Sequence, residues 1–357
     1  MVKGMSNWKH KLKVYAPLII FFSLVVFVIQ YRVREEVSPH SYRELNLYAM
    51  SDYFPKDILK EFERQKNVRI HYDHFSNNEE LLAKLQAGAT GYDVIVPSDY
   101  MVVALIENRL LSPLQHEYLP HLNNIAEPFK HRSYDVKSTY TVPYLWGTTG
   151  IAYNSKYVDD NLKSLTLLVD PKYKGRIALL EDPRETLSLA LRFLGLDINT
   201  KSFKDLQKAV QWLDSHRSQI RIFTADAKQH MMSEDVWIAH TYSGDAHIVA
   251  KDKPEVKYFV PKEGATLWTD NLAIPEGADE KELAHEFINY ILEAGVGASL
   301  ANQLGYSTPN EASDPMVEDP DLRSSTLKDM GPNVLYMKDL GTSTFLWDEA
   351  WTRLKSR

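Results

Sequence analysis

Carboxylates and aromatic rings recur side by side at the ends of predicted segments in this chain, and that pairing suits one kind of chemistry. They stand in Tyr48-Ala-Met-Ser-Asp-Tyr53, Pro97-Ser-Asp-Tyr100, Tyr242-Ser-Gly-Asp245 and Trp268-Thr-Asp270. Leu179-Leu-Glu-Asp182 supplies acids without a ring, and Glu185 follows one turn on. A ring face attracts an ammonium group by roughly 0.5–2 kcal/mol, and a carboxylate pairs with an amine through a charge-assisted hydrogen bond. In open α/β sheets ligands collect beyond the carboxyl ends of strands, so these ends, pooled, predict a cleft for an apolar molecule carrying positive charge. Taken singly the same residues have plainer roles. Asp182 and Glu185 fit a helix cap, Asp52 fits a cap for a helix at Pro55, and Trp268 fits a core.

Signatures of catalysis are poor. His116-Glu117-Tyr118-Leu119-Pro120-His121 has one residue too many for a zinc-protease helix, and its proline would break that helix. Neither a phosphate-binding Gly-rich loop ending in Lys-Ser/Thr nor a Gly-x-Ser-x-Gly elbow occurs. Ser243 has no base beside it in sequence and reads as a strand-to-helix turn, with Asp245 near the helix start. The chain has no cysteine, which removes disulfides, thiolate metal sites, thiol nucleophiles and a lipid-modified N-terminal Cys. No cofactor, metal or enzymatic reaction is therefore expected.

The elements that must position the acids alternate in type. Strands are expected at 45–50, 68–75, 93–97, 176–180, 236–241, 256–260 and from 272, with extended chain over 140–154. Helices are expected at 55–65, 77–87, after Asp182, and at 204–216, 282–292 and 344–355, the last carrying Trp347 and Trp351. Asp182, Pro183 and Glu185 fit N-cap, N1 and N3 of a capping box. Strand–helix–strand order predicts an α/β architecture with right-handed crossovers. A length of 357 residues favours two lobes over one core. The net charge of −7 argues against a nucleic-acid partner.

The first forty residues differ. Lys3, Lys9, Lys11 and Lys13 precede an apolar run over 14–29, broken only by Pro17 and Ser23, and Arg32 and Arg34 follow it. With Gln30 and Tyr31 the run approaches the roughly 17–25 residues of a spanning helix. No small residues suited to a signal peptidase follow it. The segment is therefore expected to be an uncleaved signal anchor with its N-terminus in the cytoplasm, a cleaved signal peptide being the alternative. Residues 1–44 then form N-terminus, anchor and tether.

Five strings carry a resemblance. They are Tyr92-Asp-Val-Ile-Val-Pro-Ser98, Val142-Pro-Tyr-Leu-Trp-Gly147, Tyr242-Ser-Gly-Asp-Ala246, Leu267-Trp-Thr-Asp-Asn-Leu-Ala-Ile-Pro275 and Gly305-Tyr-Ser-Thr-Pro-Asn310. In order and spacing they resemble the spermidine/putrescine-binding periplasmic proteins of bacterial ABC importers. The resemblance implies a two-lobed, hinge-closing α/β fold of the periplasmic-binding-protein type 2 class. Lobe 1 would take 45–147 with 274–306, and lobe 2 would take 148–273 with 307–357. It implies a monomer that traps a polyamine and passes it to a permease and ATPase complex.

Carried over by motif, Ser51, Asp52, Tyr53, Ser98 and Tyr100 would line the first-lobe side, with Asp182 and Glu185 as second-lobe acids. Tyr242 and Tyr306 would be walls, Asp245 an ammonium partner, Trp268 the main stacking platform and Asp270 the acid gripping an amine. Two departures stand out: Met50 where the family often has Trp, and Met337 near a C-terminal polar contact. A membrane-tethered sensor of another cationic compound is the alternative function, with an enzyme on this scaffold further off. Binding is expected to weaken as pH falls toward ordinary carboxylate values near about 4.

Overall fold

The computed structural model describes residues 42–88 and 91–356. In chain order the strands are β1 (Arg43–Met50), β2 (Val68–Phe75), β3 (Val94–Ile95), β4 (Thr141–Asn154), β5 (Ile177–Leu180), β6 (Ile220–Thr224), β7 (Ile238–Tyr242), β8 (Val256–Phe259), β9 (Ala265–Ala273) and β10 (Val334–Tyr336). The α-helices are α1 (Lys56–Lys66), α2 (Asn78–Gln86), α3 (Asp99–Glu107), α4 (Pro183–Phe193), α5 (Phe203–Ser215), α6 (Lys228–Met232), α7 (Ser243–Asp252), α8 (Lys281–Ile291), α9 (Ala294–Leu304) and α10 (Thr344–Lys355).

The strands form one sheet in the order β2-β1-β3-β9-β4-β7-β5-β6, with β10 added to β9 and β8 to β4. Parallel pairing joins β1 to β3, and β5 to both β6 and β7. Between these blocks the long strands β4 and β9 run antiparallel, from Thr141↔Ala273 to Thr149↔Thr266. The parallel blocks are covered on both faces, as buried parallel strands require. On β1, Leu45, Leu47 and Ala49 join one apolar cluster, with Phe62 of α1 and Phe287 of α8. The intervening Tyr48 joins another, with Leu81 of α2 and Leu105 of α3. On β5, Ile177 and Leu179 pack with Leu187, Leu213 and Trp347. Ala178 faces the other way, toward Ala246 and Val249 of α7.

Several expected elements differ in extent. The strand expected from 272 begins at Ala265, so Trp268 and Asp270 lie inside β9 rather than at a strand end. Asp52 does not cap α1: the N-cap is Pro55, with no side-chain cap hydrogen bond. Beyond 307, Val317 and Leu322 pack with Ala298 and Ala301 of α9, and Leu327, Met330, Val334 and Tyr336 pack against the first cluster. There Trp146 N–H donates to the Ser307 carbonyl (3.0 Å) and Ala126 N–H to that of Pro309 (2.8 Å). Leu340 and α10 belong to the second cluster. No helix among the described residues is long and apolar enough to cross a membrane, and the expected anchor at 14–29 lies outside them.

The closing helix α10 is fixed by Trp347, which is fully buried and donates its indole N–H to the Thr200 carbonyl at 3.1 Å. The Arg184 guanidinium lies over the same ring, 4.8 Å from its centre. Trp347→Ala is expected to cost about 3–5 kcal/mol, and urea unfolding followed by circular dichroism would show it as a lowered midpoint with an unchanged slope.

Candidate functional site

Strand β9 places Trp268 and Asp270 two residues apart, so both side chains leave the same face of the sheet. Asp270 is buried and accepts two short hydrogen bonds, from Tyr53 Oη and from Ser98 Oγ, each at 2.6 Å. Asn78 holds Ser98 in turn: its Oδ1 accepts from Ser98 N–H and its Nδ2 donates to Ser98 Oγ, both at 3.0 Å. Tyr144 Oη donates to the Tyr53 carbonyl at 2.6 Å.

Other carboxyls arrive at helix starts, where the helix dipole favours negative charge. Asp99 opens α3 and accepts from Tyr100 N–H (2.7 Å) and Thr269 N–H (3.2 Å). Asp182 caps α4 by accepting from Glu185 N–H at 2.8 Å. The Glu185 side chain does not reach back as a full capping box would require. It turns inward and accepts from Thr149 Oγ1 at 2.9 Å, and its other oxygen is buried with no hydrogen-bond partner. Asp245, in the first turn of α7, accepts from Tyr306 Oη (3.0 Å) and from Lys228 Nζ (3.2 Å).

Trp268 meets Tyr242 and Tyr306 edge to face, and Tyr53 lies tilted against Tyr306. Trp268 lies 5.8 Å from Tyr242 and 5.4 Å from Tyr306 between ring centres, and Tyr306 lies 6.2 Å from Tyr53. Two glycines permit this. A Cβ at Gly147 would come within 2.7 Å of the Trp268 ring, and one at Gly244 within 2.2 Å of the Tyr306 ring. The Trp268 indole nitrogen is buried with no hydrogen-bond partner.

Two adjoining cavities open among these groups. The first holds about 420 Å³ between Tyr53, Ser98, Asp99, Tyr100, Asp182, Glu185, Tyr242, Trp268 and Asp270, closed by Met50 and Met337. The second, about 740 Å³, shares the walls Met50, Tyr53, Asp182 and Tyr242, and adds Ser51, Asp52, Asp226, Lys228, Asp245 and Tyr306. All twelve residues singled out in the sequence therefore line one of two connected cavities, with Ser51, Asp52, Asp245 and Tyr306 confined to the second. Among the described residues no group of three or more His, Asp or Glu is placed to hold a metal ion.

Comparison with known proteins finds the same architecture. Residues 57–324 match the family described as bacterial extracellular solute-binding protein. The chain belongs to that family. It is similar to the spermidine/putrescine-binding periplasmic protein 1 of Haemophilus influenzae, 31% identical over 87% of this chain and 88% of that protein. It is also similar to the putrescine/cadaverine-binding protein of Pseudomonas aeruginosa, 30% identical over 88% and 94%. Among solved structures, the TpPotD lipoprotein of Treponema pallidum superposes with a TM-score of 0.79 at 28% identity, over 88% of this chain and all of that one (100%). The α/β fold is thus that of the solute-binding proteins.

In this member of the family the cavity contains groups that sequence reasoning passed over. Asp99 stands between Ser98 and Tyr100 in a string already singled out, yet no role was expected for it. The acid–aromatic pairing itself was the available signal. Asn78 and Lys228 had none, because Asn78 lies 20 residues from Ser98 and Lys228 lies 17 residues from Asp245.

Burial dominates the electrostatics. It pushes the carboxyls of Asp99 and Glu185 up to about 8, and that of Asp270 to about 6 despite the hydroxyls of Ser98 and Tyr53. Asp182 and Asp245 are raised for the same reason. The pH range expected from ordinary carboxylates near about 4 is therefore corrected upward to about 6–8 for Asp99, Glu185 and Asp270. In that range the folded chain binds more protons than the unfolded chain, so stability falls as pH rises from unfolded carboxylate values toward the folded ones. Without ligand, the melting temperature is expected to be higher at pH 5.5 than at pH 8, as scanning calorimetry at fixed ionic strength would record.

Proposed function

We propose that this protein is the solute-binding component of a bacterial ABC importer and that it captures a polyamine of the putrescine or spermidine class. One observation carries the reading. The first cavity is lined by four carboxyl groups, those of Asp99, Asp182, Glu185 and Asp270, and by no Lys, Arg or His. Four acids in so small a volume form a receptor for positive charge, and the alternative of holding them all neutral gives them no purpose. The rings of Tyr53, Tyr242 and Trp268 suit the methylene chain and the flanks of the ammonium groups. Relatives named for binding spermidine, putrescine or cadaverine support the same class.

Binding requires no bond to be made or broken, and we assign the chain no catalytic role. Each ammonium donates to a carboxylate, and desolvation makes that pairing stronger than in water. Asp270 grips one amine, with Tyr53 and Ser98 keeping its oxygens aimed. Glu185 and Asp182 face the other. The unpaired Glu185 oxygen gives an ammonium proton a ready acceptor.

The chain acts as two lobes that close by bending β4, where it crosses from one apolar cluster to the other, together with β9 paired along it. Residues 45–147 and 274–336 form lobe 1 in this reading, and 148–273 with 337–357 form lobe 2. The packing of Leu327, Met330, Val334 and Tyr336 on the first cluster supports this boundary. The protein works as a monomer that hands its ligand to a permease and ATPase complex. The lysine-flanked run over 14–29 tethers it outside the cytoplasmic membrane, as the excess of positive charge before the run supports.

The test is calorimetric titration of the full-length chain, held in mild detergent, with putrescine, cadaverine and spermidine. At least one is expected to bind more tightly than millimolar. Because the ligand ionises carboxyls that hold protons, binding is expected to release protons to buffer at pH 6.5 and to tighten toward pH 8. No binding at either pH would exclude the polyamine assignment. Asp270→Asn keeps an acceptor for Tyr53 or Ser98 but removes the charge, and is expected to weaken binding by about tenfold or more. An unchanged affinity would remove Asp270 from the site.

A further inference from the structure

Lys228 begins α6 and sends its side chain into the second cavity. Its ammonium lies 3.2 Å from Asp245 Oδ1 and 4.0 Å from Asp226 Oδ1, with 28% of the side chain exposed. The Asp245 oxygen that it contacts also accepts from Tyr306 Oη at 3.0 Å. Burial works against the Lys228 charge, but Asp245 and Asp226 outweigh it and hold the group above the ordinary lysine value. The protein thus keeps an ammonium of its own at this end of the cleft.

The cavity walls show what that position controls. Met50, Tyr53, Asp182 and Tyr242 are common to both cavities, so a ligand too long for the first extends past them toward Lys228. Asp99, Tyr100 and Met337 are shared with a third cavity, which carries Lys338 and also Arg132, its guanidinium 4.3 Å over the Tyr336 ring, beside Asp197 and Asp339. The acid-only chamber therefore adjoins two regions that contain cations as well as acids, and in the second cavity Lys228 stands among Asp52, Glu181, Asp182, Asp226 and Asp245. Its four carboxyls are enough to pair with two ammonium groups. A third would approach Lys228 in a partly desolvated space, where like charges repel strongly.

We propose that Lys228 sets the charge count of the ligand: its ammonium occupies the Asp245 end of the cleft, so the site accepts an α,ω-diamine and discriminates against triamines. This rests on the polyamine reading and narrows it to putrescine and cadaverine over spermidine. The carboxylate that would receive a third amine is built into the site, and a side chain from the same protein fills its place. Removing that side chain frees Asp245 for the ligand.

The full-length chain, its Lys228→Met and Lys228→Gln variants, and Lys228→Arg would each be titrated calorimetrically with putrescine and spermidine at pH 8, with a thermal melt confirming folding. Gln keeps a hydrogen-bond donor for Asp245, so it serves if Met unfolds the chain. The parent protein is expected to favour putrescine by about tenfold or more, and Met or Gln to shift the ratio toward spermidine by about tenfold. Arg, which keeps the cation, is expected to retain the parental preference. Three results overturn the proposal: a parent that prefers spermidine, a ratio that moves less than about threefold on loss of the charge, or an Arg variant that shifts it as far as Met does. If putrescine binds and the ratio fails to move, only the role of Lys228 falls. If neither amine binds any of the proteins, the polyamine reading falls with it.

Discussion

A carboxylate taken out of water loses several kcal/mol of solvation unless hydrogen bonds or an opposite charge replace it. This chain gathers Asp99, Asp182, Glu185 and Asp270 around one small cavity, all of them buried. Much of the surrounding structure serves to make that tolerable. Backbone N–H groups at the starts of α3 and α4 reach Asp99 and Asp182, and hydroxyls reach Asp270 and Glu185. These donors are neutral dipoles. They lower the cost without removing it, and the acids still take up protons well above their ordinary range. The uncompensated remainder is the free energy available to a cationic ligand.

That arrangement asks for rigid supports, and the sheet provides them. Asp270 and Trp268 sit in the middle of β9, paired along β4 through Leu145↔Asp270 and Gly147↔Trp268. Gly147 is small because the Trp268 ring occupies the place where its side chain would be, and Gly244 is small for the same reason beside Tyr306. Ring positions are thus set by backbone contact rather than by flexible side-chain packing. Because β4 also runs from the first main apolar cluster into the second, with β9 paired along it, a bend in these strands would move the halves of the site relative to each other while leaving each cluster packed.

The fold class was legible from the strand–helix alternation, and the strand ends at Met50, Leu180 and Tyr242 fell close to where the pattern placed them. Strand β9 was less visible. It is buried along its whole length yet contains Thr266, Thr269, Asp270 and Asn271, so the apolar run that would mark a buried strand is interrupted by the site itself. Helices α3 and α9 were missed, the first because Pro97-Ser-Asp-Tyr100 drew attention as a strand end while its Ser98 was also an N-cap. The capping-box pattern at Asp182 was half right. Backbone geometry follows it, but the Glu185 side chain was drawn into the cavity, a tertiary effect that local spacing does not encode. Lys228 was invisible for the same reason, since only folding brings α6 against α7.

Met50 and Asp99 show how such a site can change its means of holding charge. Met50 lines both cavities and offers a polarizable surface but no ring quadrupole. Asp99 adds a carboxyl to the same chamber. A ring face contributes about 0.5–2 kcal/mol to an ammonium and does not titrate. A buried carboxylate can contribute more, but only after giving up a proton, which costs about 1.4 kcal/mol for each pKa unit by which the solution lies below its pKa. Replacing rings by acids therefore trades a constant attraction for one that depends on pH. With Lys228 fixed at one exit and Arg132 near the other, added carboxylates strengthen the centre of the cleft more than its ends. The same acids that make the site sensitive to pH would thus also favour a bound cation in the chamber they line.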